Sequence, residues 1–125
     1  MRRPLPAGNV PMATETHRRL ALELRMAVEA LIGAPSTDAF NVLSKMLAAL
    51  CNCGMKGWAI DLATETMCHI CDRYERVGKI GLKDCEVVRL RSAMGGIDGR
   101  LPYIPVNKFD IAVAEVAAFC TSVGA

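Results

Sequence analysis

Between residues 58 and 77 the apolar side chains Ala59, Leu62, Ala63, Met67, Ile70, Tyr74 and Val77 fall three or four positions apart. Only a helix gathers such positions into one continuous seam. The stretch has no glycine or proline, and Gly78 follows it as a stop signal. A seam this long has to be covered, and strands are not available to cover it. No run shows the period-two alternation of β-branched and aromatic residues that a half-buried strand needs. Aromatic residues are few, at one Trp, two Tyr and three Phe. The core must therefore come from Leu, Ile, Val, Met and Ala, several of which favour helix. The fold class expected is all-α: a compact bundle of about five helices with short antiparallel connections.

The other helices follow from the same periodicity. Helix one is expected over about 15–32, with Thr14 as a candidate N-cap and with Leu20, Leu24, Ala27, Val28, Leu31 and Ile32 inward. Helix two is expected over 37–51. Ser36 caps it, Asp38 sits in the first turn where the helix dipole favours a negative charge, and Phe40, Leu43, Met46, Leu47 and Leu50 form its stripe. Helix four is expected over 84–94, with Val87, Leu90 and Met94 inward. The glycines and prolines of "GGIDGRLPYIP" are then a C-cap, a turn and a long connection. Helix five is expected over about 108–122 after an Asn107 cap. It is apolar on nearly all sides, so it should be either the central helix of the bundle or part of a subunit interface. Ala114 and Ala118 would let a second helix approach closely there, beside Phe119.

At 125 residues the chain is sized for one domain, over 14–125. The proline-rich stretch 1–13 is expected to be a disordered arm, with Met12 as an alternative start. A composition that is 52% hydrophobic and only 22% charged argues against disorder elsewhere. Fifteen basic and thirteen acidic residues leave a net charge of +2, too balanced to argue for nucleic acid or an anionic membrane from bulk charge. No segment approaches the apolar length of a membrane span. "MRRPLPAGNVPM" lacks the apolar core of a secretory signal. The expected location is the cytoplasm, with the six cysteines as free thiols.

Four of those cysteines lie in "CNCGMKGWAIDLATETMCHIC", spaced as two close pairs. The pattern invites a four-thiolate zinc site. Helix geometry argues against it: Cys51 and Cys53 lie at the closed end of a hairpin, and Cys68 is about 16 Å along the next helix. A redox reading of "CHIC" needs a helix N-terminus after a strand, and here the motif is mid-helix. Asp61, Glu65, His69 and Asp72 share a helix face, which makes Glu65 and His69 the candidate metal ligands. No second Glu-x-x-His exists to complete a bundle site, so a solvated face is the simpler expectation. His17, the other histidine, is expected at the surface or partly packed. No nucleophile elbow, zinc-protease helix or phosphate-binding loop is found, and no catalytic residue or cofactor is expected.

Two resemblances bear on function. "LSKMLAALCNCGMKGWAIDLATETM" faintly resembles one hairpin of an α-solenoid, but no second copy occurs at a matching period. "YERVGKIGLKDCEVVRLRSAM" resembles the helix-turn-helix of bacterial regulators. That resemblance implies Gly81 at the turn, with Ile80, Leu82, Val87 and Leu90 buried around it. Lys83, Glu86, Arg89 and Arg91 would then be the polar residues of a recognition helix, and Lys83, Arg89 and Arg91 the nucleic-acid contacts.

The functional expectation is a non-enzymatic protein that binds another macromolecule, a protein first and DNA as the alternative. It would serve as an adaptor, inhibitor or accessory factor, of a bacterial genome or mobile element. A homodimer through Ala114, Ala118 and Phe119 is one form this would take. Deleting residues 1–11 is expected to leave helicity and melting temperature nearly unchanged; a drop of several degrees in a thermal melt would show the arm to be docked.

Overall fold

The computed structural model describes residues 14–104 and 106–122, so the expectation of a disordered arm over 1–13 lies outside the described residues. Among the described residues there are five α-helices: α1 (Thr14–Gly33), α2 (Thr37–Asn52), α3 (Trp58–Val77), α4 (Asp84–Arg100) and α5 (Val106–Ser122). A single 3-10 turn, Leu101–Tyr103, joins the last two. There is no strand among them, and the fold is an all-α bundle. Among the described residues no helix is long and apolar enough to cross a membrane.

The first four helices form a ring in which each touches two neighbours: α1 lies against α2 and α4, and α3 lies against the same two. The core fills the ring. Leu24, Val28 and Leu31 of α1 meet Leu43 and Leu50 of α2, Ile70 of α3, and Leu90 and Ile97 of α4 in one cluster. The expected stripes of α1 and α2 point inward, with Phe40, Met46 and Ile32 only partly buried. On α3 the seam is buried at Ala59, Ala63, Met67 and Ile70, with Leu62 partly buried, and opens at its end, where Val77 is exposed.

Local chemistry places the helix ends. The Ser36 hydroxyl accepts a hydrogen bond from the Ala39 amide at 3.0 Å, which satisfies one orphan donor of α2. Gly78 closes α3 in the left-handed conformation, at φ 74°, and its amide returns to the Tyr74 carbonyl. Thr14 is the first described residue of α1, and Asn107 is the second residue of α5, which begins at Val106.

Helix α4 differs most from expectation. It does not stop at Met94 but runs on through "GGIDG" to Arg100. The glycines there serve packing, not a turn. None of Gly95, Gly96 and Gly99 has positive φ. A methyl group at Gly96 would stand 2.6 Å from Ala59 Cβ and 2.6 Å from the Trp58 ring, so the absence of a side chain lets α4 press against the start of α3. Ile97, fully buried, rewards the extra turn.

The α3–α4 connection is held by an interior ion pair. Glu86 is 2% exposed, and its carboxylate accepts from the Arg73 guanidinium, with Nη1 to Oε2 at 3.1 Å and a second bond from Nη2 to Oε1. It also accepts from the Lys83 amide at 2.7 Å, while Arg73 Nη2 donates to the Gly81 carbonyl at 3.0 Å.

Gly96→Ala is expected to lower stability by about 1–3 kcal/mol, because Ala59 Cβ is held by the α3 backbone and cannot give way cheaply. Gly95→Ala, with open space around it, is expected to raise stability by about 0.5–1 kcal/mol through helix propensity alone. Urea denaturation of the two variants would read both signs; a neutral Gly96→Ala would show that the helices are not in close contact.

Candidate interaction surface

Helix α5 stands outside the ring. Among the described residues its backbone approaches α2 alone. It runs antiparallel to α2: Lys108 and Ile111 lie beside Asn52, and Phe119 and Cys120 beside Asn41 and Ser44. The side turned to α2 carries Phe109, Ala112, Val116 and Cys120, spaced three and four apart. Of these only Ala112 is buried.

Of the two places expected for this helix, the centre of the bundle is the one it does not occupy. Ile111 is 56% exposed, Val113 45% and Phe119 65%. Ala114 and Ala118, the positions singled out for close approach, are exposed too. The physical reason is simple: α1 to α4 already close the core around one another, so among the described residues the fifth helix has α2 alone to lie on. Ile111 and Val113 join the surface although the sequence pattern did not single them out. A hydrophobic period names a face, and a helix with no polar face gives no sign of which side meets water.

Two grooves flank α5. One, of about 430 Å³, lies between α2 and α5 and is lined by Ser44, Lys45, Ala48, Val116, Phe119 and Cys120 among others. The other, of about 580 Å³, opens between α1, α2 and α5 over Leu20, Met46, Ala49, Phe109, Val113 and Ala117, with Glu23, Lys45 and Asp110 also lining it. Both are mostly apolar and open to solvent.

The cysteines divide between different places. Cys51 faces α3 and shares a groove of about 290 Å³ with Cys68 and Cys71, because the antiparallel packing sets Phe40 and Leu47 of α2 against Met67 and Cys71 of α3. Cys51 is thus nearer to Cys68 and Cys71 than its place at the hairpin end implied. Cys53 turns the other way, toward α5. Burial pushes its thiol up to about 11, with the carboxylates of Asp110 and Glu115 adding to the rise and Lys108 opposing it. Among the described residues no three His, Cys, Asp or Glu side chains come together as a metal site would require. Glu65 and His69 lie exposed on the outer side of α3.

The helix-turn-helix segment also has a definite geometry. Gly78, not Gly81, takes the left-handed turn conformation. Leu90 is buried, and Ile80, Leu82 and Val87 are partly buried. Glu86 points into the interior rather than outward with the recognition residues. Arg91 is engaged across the bundle by Glu29 of α1, with Nε to Oε2 at 3.1 Å and Nη2 to Oε1 at 2.8 Å. That bond holds the Glu29 carboxyl below its ordinary range. Lys83 and Arg89 are exposed. At the other end of α4, His17 Nε2 lies 3.4 Å from the Asp98 carbonyl and 3.6 Å from its carboxylate, which Arg25 also approaches at 3.8 Å.

Cys53 offers a test of this packing, because its thiol is pushed up chiefly by burial. With its pKa near 11, only about 0.1% of the thiol is ionised at pH 8, and the thiolate is the nucleophile. Alkylation of Cys53 is expected to lag behind that of the exposed Cys68 and Cys85, and to accelerate about tenfold per pH unit up to about pH 11. Peptide mass mapping of a time course would check this; equal rates at pH 8 would mean that Cys53 is not buried against the core.

No family model matches the sequence, and neither a curated protein nor a solved structure matches it.

Proposed function

We propose that this chain is a non-enzymatic binding protein, an adaptor, inhibitor or accessory factor, that acts in the cytoplasm by docking a protein partner on α5. The observation that carries the reading is the contrast between composition and placement. A helix with apolar residues around its whole circumference rests on one neighbour and leaves Ile111, Val113 and Phe119 to solvent. Exposed apolar surface of this kind, flanked by two apolar grooves, is what a protein interface looks like before it is covered. Lys45, Glu23 and Asp110 beside the grooves would supply polar contacts around such an interface. Six free thiols are consistent with a reducing compartment.

The test uses Ala118→Glu. Ala118 is exposed, so helicity should be unchanged and the effect on stability within about 0.5 kcal/mol. Capture of partner proteins from host extract by the wild-type chain should be lost with the variant. Loss of helicity by circular dichroism would instead place Ala118 inside the bundle. DNA binding that falls steeply with salt and is lost with Lys83→Ala and Arg89→Ala would move the function to α4.

A further inference from the structure

We infer that the partner seated on the outer face of α5 is a second copy of this chain, paired through antiparallel α5 helices about a two-fold axis. The inference rests on the reading of α5 as the binding surface and names its occupant.

The argument is one of charge and register. Opposite the α2-facing side, Ile111, Ala114 and Ala118 follow one another three and four residues apart, all exposed. This is the apolar stripe of a helix–helix seam. Lys108 and Glu115 are seven residues apart and therefore share one shoulder of the stripe. Both are exposed, and both line the same shallow crevice beside Ile111. Neither takes part in an ion pair among the described residues. Asp110 lies on the other shoulder.

A two-fold interface sets one surface against itself. In an antiparallel pair each shoulder faces its own counterpart running the opposite way. Setting Ile111 of one copy against Ala114 of the other brings Lys108 within about two residues, roughly 3 Å along the axis, of the partner's Glu115. A lysine side chain spans that easily, and symmetry makes the contact twice. Asp110 then meets uncharged side chains of Val113 and Ala117. A parallel pair would instead set this shoulder against the opposite one, leaving Glu115 against Val113 and Ala117 and offering Lys108 only Asp110, which lies in the groove with Lys45. The face thus carries a lysine and a glutamate that complete one another when the two helices run antiparallel. The apolar stripe supplies the adhesion and the charges select the orientation, since exposed ion pairs contribute little affinity on their own.

Sedimentation equilibrium of the full chain tests this. The wild type is expected to dimerise reversibly, and Ile111→Glu to remain monomeric with unchanged circular dichroism. Lys108→Glu and Glu115→Lys should each weaken dimerisation about five- to tenfold at low salt, because each opposes like charges twice. Mixing these two single variants should restore a dimer, now a heterodimer. Both residues are exposed, so these variants should fold even if Ile111→Glu does not. A wild-type chain that stays monomeric at high concentration overturns the second copy, while capture of a foreign protein sensitive to Ala118→Glu would still support α5 as the surface. A dimer indifferent to all these changes overturns both readings. A dimer lost with Ile111→Glu but indifferent to the charge changes overturns the antiparallel register.

Discussion

The carboxylate of Glu86 is the charge on which the bundle's geometry turns. A buried carboxylate without partners would cost several kcal/mol, and this one is matched by an arginine fork from α3 and by the Lys83 amide at the start of its own helix. Arg73 in turn holds the Gly81 carbonyl. One interior charge therefore fixes where α3 ends, where α4 begins and how the chain between them is folded. Removing either partner would leave the other buried and unpaired, a loss of about 3–5 kcal/mol. Since α3 and α4 are both walls of the ring, their mutual angle is inherited by α1 and α2. Toward its other end, α4 is tied to α1 through Glu29–Arg91 and through Asp98 with His17 and Arg25.

What the sequence could tell follows from the range of the interactions involved. The bounds of α3, the Ser36 cap and the Gly78 stop depend on residues within one turn, and they were readable. "GGIDG" was not, because glycine has two uses. It ends helices, and it lets helices touch. Which applies at Gly96 is decided by Trp58 and Ala59, nearly forty positions earlier in the chain. Glu86 was hidden for a related reason. A glutamate on the third residue of a helix is a known capping partner, but a lysine at the cap position disguises it, and nothing local points to Arg73.

The surface of α5 shows the limit of periodicity as a guide to burial. The apolar residues of the helix are spread around its circumference in the sequence, and the helix forms, yet burial depends on how many neighbours remain once the other four have closed around Leu24, Leu43, Ile70 and Leu90. The ring is complete without α5. Ala114, Ala118 and Phe119 were therefore legible as candidates for contact, whereas the exposure of Ile111 and Val113 emerged only from the architecture.

Trp58 is the chain's single tryptophan, and its indole leans on the bare backbone at Gly96 while the rest of the ring meets water. The contact that brings α3 and α4 together is therefore also a wall of this chromophore. Parting the two helices would strip that wall away and move the emission to longer wavelength, so the protein carries a built-in optical gauge of its own tightest helix crossing.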